Sequence, residues 1–248
     1  MKIDRITSNV HLVTGTNVNW ALVTEGDAVT VVDAGYPNDR RALIESIGAI
    51  GRRAEDVVAV VLTHAHLDHM GGIPALLTRT QVPVYTGTVE VGHAHRDYLE
   101  QITPAQMLGQ CRHRAGLVWV AQTLRAALPN PSMAVPQARA AEDGVPLDIP
   151  GALVPVATPG HTSGHTAYLL ESEGVVFSGD ALVTGHPLLP GPPRPQFLPG
   201  FFSEDESKMA DSLEVLGGLP AGILVPGHGP ADRRGLATIA GEVRPDRS

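Results

Sequence analysis

The residues best suited to chemistry lie together in the stretch Thr63 to His69, which reads THAHLDH. It contains three imidazoles and one carboxylate, and it directly follows the apolar run Val57 to Leu62. Neutral imidazole nitrogens and carboxylate oxygens suit zinc, iron or manganese, and no cysteine lies nearby in the sequence. The pattern therefore predicts a metal site at the end of a buried strand. A solvated polar loop is the alternative interpretation, and the density of the cluster argues against it.

The spacing within this cluster limits how its side chains can meet. His64 and His66 are two residues apart, so an extended backbone would direct both imidazoles to the same side. Asp68 and His69 can converge on the same place only if the chain turns after Leu67. We therefore expect a turn inside the motif.

The composition is typical of a globular protein. A chain of 248 residues with 43% hydrophobic residues can bury the core of one large domain or two small ones. The net charge of −8 argues against a nucleic-acid or anionic-membrane surface. The single cysteine, Cys111, cannot form an intramolecular disulfide, and we interpret it as a small buried apolar residue.

The sequence contains no recognisable targeting or membrane-spanning segment. The N-terminus has no apolar signal core, and no uninterrupted apolar run approaches the length of a membrane span. We therefore expect a cytoplasmic protein that acts on a small-molecule substrate as a monomer or homodimer. We expect neither nucleic acid nor membrane among its partners.

Hydrophobic patterns predict short strands and helices in an α/β order. Strands are predicted at Val10 to Val13, Trp20 to Thr24, Ala28 to Val32, Val57 to Leu62, Val82 to Tyr85, Leu153 to Ala157, Thr166 to Leu170, Val175 to Ser178 and Ile223 to Val225. Helices are predicted at Asn38 to Ile50, Ile73 to Thr78 and Glu204 to Leu216, the last with Ser203 or Asp205 as its cap, and from about Arg233. Pro129 to Pro136 is predicted to be a connector, and Gly185 to Gly200 an ordered but irregular surface loop.

The pattern changes between Thr88 and about Ala127, where we predict an amphipathic helix. The residues that recur at helical intervals, and that we expect on its buried stripe, are Met107, Leu108, Cys111, Ala115 and Val118. The wider spacing of three further histidines favours surface or interhelical positions over metal binding. These histidines are His93, His95 and His113.

Polar residues follow several of the predicted strands, which is where α/β proteins gather ligands and catalytic groups. Asp33 ends one strand beside a glycine turn, and we favour a helix cap there over a place behind the metal ligands. Three further strands are followed by Pro-Gly-His161, Ser-Gly-Asp180 and Pro-Gly-His228-Gly.

The ordered series of these motifs closely resembles the metal-ligand set of the metallo-β-lactamase-fold hydrolases. The resemblance extends over most of the chain and is weakest from Thr88 to about Pro150. It implies the α/β fold of that family, a four-layer αβ/βα sandwich of two β-sheets with helices outside and metals at one edge. It also implies one domain over residues 1–248, with a helical insertion at about 88–127.

The resemblance further implies two divalent metal ions, zinc in the first place, with iron or manganese as alternatives. The implied ligands are His64, His66 and His161 for one metal, Asp68, His69 and His228 for the other, and Asp180 as the bridge between them. Asp68 is also the implied catalytic residue, because its carboxylate could orient the nucleophile. His165 has two open interpretations, a contact to the site or its outer groups, or a structural hydrogen bond.

The implied function is a dinuclear metal-dependent hydrolase that attacks a small ester, lactone or thioester with a metal-bound hydroxide. The alternative is a mononuclear-iron oxidoreductase of the same fold, similar to the persulfide dioxygenases. A β-lactamase of the subclass with a cysteine ligand is disfavoured because Asp180 stands in the Ser-Gly-X loop. A phosphodiesterase is disfavoured because no basic arm is present for a phosphate backbone.

Overall fold

Two β-sheets packed face to face form the centre of the protein, and helices cover both outer faces. The computed structural model describes residues 1–128 and 133–243. Three apolar clusters separate the four layers, one between the sheets and one between each sheet and its helices. The predicted four-layer sandwich is therefore confirmed.

The first sheet has seven strands that follow one another in chain order. They are β1 (Lys2–Arg5), β2 (Val10–Thr14), β3 (Asn19–Glu25), β4 (Ala28–Val32), β5 (Val57–Val61), β6 (Val84–Gly87) and β7 (Ala138–Ala141). The first four pair antiparallel, whereas β4 to β7 pair parallel. Because parallel strands end at the same edge, the residues that follow β4 and β5 lie side by side.

The second sheet has four strands in the order β11-β10-β9-β8. They are β8 (Val154–Ala157), β9 (Thr166–Leu170), β10 (Val175–Gly179) and β11 (Ile223–Pro226). β9 is antiparallel to both neighbours, and β10 is parallel to β11. It follows that β8, β10 and β11 run in one direction, so their three polar loops meet at one edge.

The helices connect the strands and close the outer layers. They are α1 (Arg40–Ala49), α2 (Leu67–Met70), α3 (Ile73–Leu77), α4 (Glu90–His95), α5 (Pro104–Gln110), α6 (Arg114–Ala127), α7 (Glu206–Gly217) and α8 (Leu236–Glu242). Asp205 caps α7, since its side chain accepts from the amides of Ser207 and Lys208. Among the residues that the structure describes, no helix has both the length and the apolar character needed to cross a membrane.

The alternation of side chains along the strands explains why two separate cores form. In β3, Trp20 and Leu22 point to the helical side, while Ala21 and Val23 point between the sheets. Period-two alternation places successive side chains on opposite faces, and here both faces are apolar and covered. The buried indole N–H of Trp20 donates to Ser46 Oγ at 3.1 Å, so this large side chain leaves no donor unpaired.

Most predicted elements are confirmed with small shifts at their ends, but the helical segment is different. The chain breaks at residues 111–113 into α5 and α6, and Leu108 and Val118 are 71% and 49% exposed. The predicted buried stripe is therefore wrong, because a helical period counted across this break loses its register. The buried residues of α6 are Gly116, Trp119 and Ala126. Cys111 is only partly buried. Part of the predicted connector, residues 129–132, lies outside the described residues.

Two consecutive glycines let the end of the metal motif pack against the loop after β4. A Cβ atom on Gly71 would lie 2.2 Å from the backbone nitrogen of Pro37. A Cβ atom on Gly72 would lie 2.3 Å from the carbonyl oxygen of Ala34. Any larger residue at either position would force these two backbone segments apart.

We expect Gly71→Ala to lower the free energy of unfolding by about 2 kcal/mol, the usual cost of overpacking. The backbone at Gly71 is right-handed helical, so the penalty is steric rather than conformational. Gly48→Ala in α1 is the matched control, because a Cβ atom there meets nothing within 4 Å. Urea titrations followed by circular dichroism would measure both, and equal stabilities of the two variants would contradict the close approach.

Candidate metal centre

The loops that follow β5, β8, β10 and β11 bring all seven predicted ligands to one edge of the sandwich. These residues are His64, His66, Asp68, His69, His161, Asp180 and His228. The chain turns into α2 at Leu67, as the spacing requires. All seven are buried except Asp68, whose side chain is 17% exposed. Such a density of buried polar groups is costly unless each has a partner.

Their ligand atoms form three overlapping groups, and within each group the atoms lie within 4.8 Å of one another. The groups are His64, His66 and His161; His64, His69 and Asp180; and Asp68, His69 and His228. The first and third groups coincide with the two ligand sets that the sequence resemblance implies. Asp180 lies in the group that connects them.

The carboxylate of Asp180 is in contact with ligands from both sets. Its Oδ2 atom lies 3.1 Å from His228 Nε2 and 3.5 Å from His161 Nε2. Its Oδ1 atom lies 3.4 Å from His69 Nε2. One carboxylate is thus positioned to serve two cations, which is the geometry expected of a bridging ligand.

The cluster contains buried polar atoms that lack a partner, as a cation site should. His64 Nε2, His69 Nε2 and Asp180 Oδ1 are buried and have no hydrogen-bond partner among the described residues. A buried polar atom left unpaired costs about 1–3 kcal/mol, so three in one place indicate that partners are missing. Metal ions held by the two ligand sets would satisfy all three, and their nitrogen and oxygen chemistry suits zinc, iron or manganese.

Burial and charge together set the protonation of the imidazoles. Burial lowers the pKa of His66 to about 4 and holds the pKa of His64 well below its ordinary value, so both rings are neutral, as metal binding requires. Burial also disfavours the charged form of His69, but Asp180, Asp33 and Asp68 outweigh it and raise its pKa. A metal ion would take the place of that proton.

Asp33 lies directly behind the cluster. Its carboxylate accepts from the Thr63 amide at 2.8 Å, from Thr63 Oγ1 at 2.9 Å and from His69 Nδ1 at 2.9 Å. The favoured prediction of a helix cap is therefore wrong. The left-handed backbone of Asp33, with φ of 59°, turns its side chain under the ligand loop and away from α1. The bond to Nδ1 leaves Nε2 of His69 for a metal.

Backbone carbonyl groups orient two further imidazoles. His66 Nε2 donates to the Glu100 carbonyl at 2.7 Å, which leaves Nδ1 facing His161 Nε2 at 3.0 Å. His228 Nδ1 donates to the Asn17 carbonyl at 2.5 Å, which leaves Nε2 facing Asp180. These bonds hold each ring in one orientation before any metal arrives.

Glu90 was not singled out by sequence reasoning, yet it connects the two histidine loops. Its carboxylate is fully buried and accepts from the Ala65 amide at 2.7 Å, Thr162 Oγ1 at 2.8 Å and His93 Nδ1 at 2.7 Å. His93 is thus buried and pairs with Glu90 of its own helix, so it lies neither at the surface nor between helices as predicted. In the sequence, Glu90 is visible only as a lone carboxylate at the start of the segment after β6.

Glu100 connects the same loops to the segment between α4 and α5. Its carboxylate accepts from the amide and the hydroxyl of Ser163, both at 2.7 Å, and its carbonyl accepts from His66. The amide of Glu100 in turn donates to His93 Nε2 at 3.3 Å. The hydrogen bonds that orient the predicted metal ligands therefore also hold the segment between α4 and α5 in place.

His165 supports Asp180 without joining the predicted ligand set. Its Nε2 accepts from the Asp180 amide at 3.0 Å, and its Nδ1 pairs with Thr158 Oγ1 at 2.9 Å. Burial lowers its pKa to about 4, so it stays neutral. The structure thus shows that His165 makes a structural hydrogen bond, and that the bond joins it to the backbone of Asp180.

A cleft of about 510 Å³, counting the solvent at its mouth, opens beside the cluster. Besides metal ligands it is lined by Tyr36, Leu67, Gln101, Ile102, Trp119, Thr123, His186, Leu198 and Phe202. His186, in the irregular loop after β10, was also missed by sequence reasoning, and it packs edge-on against His228. Within the described part of the chain, no lysine or arginine lines this cleft.

Comparison with known proteins agrees with this geometry. The family model of the metallo-β-lactamase superfamily matches residues 13–228, from β2 to the last predicted ligand. The chain belongs to the metallo-β-lactamase superfamily. A relative in Bacillus subtilis (strain 168), named probable metallo-hydrolase YflN, is 29% identical over 223 residues, which are 84% of this chain and 78% of the relative. The resemblance read from the motifs is thus confirmed, and the chain is an enzyme of the metallo-hydrolase class.

Two other members of this superfamily are informative. The atrochrysone carboxyl ACP thioesterase of Aspergillus fumigatus is 27% identical over 213 residues, which cover 85% of this chain and 50% of that protein. The solved structure of the Rm3 metallo-β-lactamase superposes with a TM-score of 0.68 at 20% identity, covering 96% of this chain and 89% of that one. At that identity the superposition shows a shared fold.

Removal of the Asp33 carboxylate should weaken metal binding at the His69 side of the cluster. We expect Asp33→Ala to lower metal affinity there about 10- to 100-fold, the usual effect of losing a partner behind a ligand. Chelator competition on the metal-loaded protein would measure it, with the exposed Asp211→Ala on α7 as control. Unchanged affinity in a folded Asp33→Ala variant would show that His69 does not depend on this bond.

Proposed function

We propose that the protein is a dinuclear, zinc-dependent hydrolase of a small neutral ester, thioester or lactone. The observation that carries this proposal is the pair of buried ligand groups connected by Asp180. A catalytic zinc normally uses three protein ligands and keeps one open position. Seven ligands therefore exceed the needs of one ion and suit two.

Each of the seven predicted ligands has a role in this proposal. His64, His66 and His161 would hold one ion, Asp68, His69 and His228 the other, and Asp180 would bridge them. When bound, the two ions would polarise the substrate's carbonyl oxygen and lower the pKa of a water molecule to about 7. Asp68 is the carboxylate best placed to orient that water and accept its proton. Its side chain is 17% exposed, whereas that of Asp180 is only 3% exposed.

The lining of the cleft supports a neutral acyl substrate. Its wall opposite the ligands is largely apolar, with Ile102, Trp119 and Phe202 among its residues. Phosphate and carboxylate groups are normally recognised by arginine or lysine, and neither lines the cleft in the described chain. The name of the Aspergillus fumigatus relative, a thioesterase, also supports acyl transfer to water.

Metal content tests the number of ions directly. We expect reconstituted wild-type protein to hold about two zinc ions per chain, because the ligand set fills two positions. Asp180→Ala should retain its fold, lose one ion and lose at least about 100-fold in kcat. Elemental analysis, circular dichroism and turnover of esters, thioesters, lactones and phosphodiesters would measure these properties.

Two results would contradict this assignment. Asp180→Ala with both ions and full turnover would remove the bridge from the mechanism. One iron per chain after native expression, with oxygen consumption and no hydrolysis, would instead support the mononuclear oxidoreductase. The Asp211→Ala variant again serves as control, since its side chain is exposed on α7.

Helix α6 forms a wall of the cleft, and we infer that it selects the substrate. Trp119 is 3% exposed and lines the cleft, where it packs against His186 and Phe202. Met107 and Tyr98, which also lie in the helical segment, do not line it. The sequence predicted a helical insertion at about 88–127 but could not say which of these residues faces the substrate.

We expect Trp119→Leu to shift the ratio of kcat/KM for large and small acyl groups by about tenfold toward the larger, since a buried pocket discriminates by volume. Tyr98→Phe is the control, because the Tyr98 hydroxyl donates to the Val89 carbonyl and Tyr98 does not line the cleft. Metal content should be unchanged in both variants. Equal loss for all acyl sizes would indicate that α6 is scaffold.

A further inference from the structure

Tyr36 is held rigidly at the base of the cleft by the loop that follows β4. Its amide donates to Asp39 Oδ2 at 3.1 Å, and its carbonyl accepts from the Asp39 amide at 2.9 Å. Asp39 is buried and also accepts from Thr16 Oγ1 at 2.8 Å. The residue is 6% exposed overall, so its ring has little freedom to move.

The phenol of Tyr36 is the unusual part of this residue. It lines the cleft with Asp68 and Asp180, and no hydrogen bond joins its hydroxyl to any residue that the structure describes. The hydroxyl is therefore available to pair with a ligand in the cleft. Burial raises the pKa of Tyr36 well above 10, and Asp68 raises it further, so the hydroxyl keeps its proton and can donate it.

Thr123 supplies a second unpaired hydroxyl near that of Tyr36. It lies on α6 and lines the same cleft, and its Oγ1 atom is shielded from solvent without a hydrogen-bond partner in the described chain. Oγ1 is close enough to Tyr36 to lower the pKa of the phenol, yet it has no partner with hydrogen-bond geometry among the described residues. An unpaired buried hydroxyl is unfavourable, and a bound ligand could remove that cost.

The surroundings limit what the two hydroxyls could bind. Leu67 and Trp119 supply apolar surface nearby, and no lysine or arginine of the described residues lines the cleft to pair with an anion. A cation would need no proton donor such as the Tyr36 hydroxyl. A neutral oxygen atom that accepts hydrogen bonds, such as an ether, carbonyl or hydroxyl oxygen, suits both the donors and the charge.

We propose that the hydroxyls of Tyr36 and Thr123 form a subsite for a neutral oxygen atom carried by the substrate beside its reacting acyl group. The substrate would then be an oxygen-substituted ester, thioester or lactone, and a plain hydrocarbon acyl chain would leave both hydroxyls unpaired. The choice of ester rests on the proposed hydrolase function. The subsite itself needs only a small molecule bound in the cleft.

The test compares 4-nitrophenyl esters that differ by one oxygen atom. Methoxyacetate, 3-methoxypropanoate and 4-methoxybutanoate are paired with butanoate, pentanoate and hexanoate, in which a methylene replaces the oxygen. For the best pair, we expect Tyr36→Phe and Thr123→Val each to lower the kcat/KM advantage of the oxygen-bearing ester about three- to tenfold. Comparison of ratios between variants cancels the intrinsic reactivity of each ester.

Tyr168→Phe is the matched control, because it removes a buried tyrosine hydroxyl that bonds the Leu62 carbonyl outside the cleft. Its ratios should equal those of the wild type. Thr123→Val removes an unpaired hydroxyl at nearly constant volume, so it should fold at least as well as the wild type. Thermal denaturation would verify folding in all three variants.

A binding measurement separates this proposal from the hydrolase function. The same acyl chains as methyl ketones have no bond to hydrolyse, and ligand-detected NMR on the metal-loaded protein would report their relative binding. Tighter binding of the oxygen-bearing ketones that is lost in both cleft variants supports the subsite, even if no ester is turned over. Equal binding of paired ketones to the wild type, or uniform losses across the ester panel in Tyr36→Phe, would overturn it.

Discussion

The contact between Asp180 and the surrounding imidazoles is the interaction on which the rest of the site depends. Its carboxylate is buried among His69, His161 and His228, which come from loops of both sheets. Burial alone would raise the pKa of Asp180, but the charges of His228 and His69 hold it well below its usual range. The carboxylate therefore stays ionised where an isolated charge would be unstable, and it gives cations a fixed counter-charge at the point where the two sheets meet.

A second constraint is that the groups behind the ligands also hold the chain around the cleft. Glu90 connects the His66 and His161 loops to α4, and Glu100 connects them to the segment that precedes α5. Residues next to Glu100 line the cleft, so the part of the wall nearest the metals is fixed by the network that orients the imidazoles. A change in the ligand loops would thus also move residues that line the cleft. Because the polar groups of this network are paired, that movement would cost free energy.

The ligand residues and most strands could be predicted from the sequence because their signals are local. Three imidazoles and a carboxylate within His64 to His69, and apolar runs before each polar loop, are visible in short windows. Glu90 and Asp33 could not be interpreted in that way, since their partners in the ligand loops lie 25 to 72 and 30 to 36 residues away. The prediction of the buried face of α6 was wrong for another reason. The break at residues 111–113 interrupts a helical period that looks continuous in the sequence.

The charge distribution of the cleft connects metal binding to substrate choice. Asp68 and Asp180 both line it, and no lysine or arginine of the described residues does. The charges of His69 and His228 offset those of the carboxylates in part, and two bound divalent ions would add positive charge at the ligand edge. Trp119 of α6 supplies apolar surface to the cleft in either state, beside the hydroxyl of Thr123. Under the proposed hydrolase function, the reacting carbonyl of a substrate would point toward the predicted ligands and its neutral remainder toward α6.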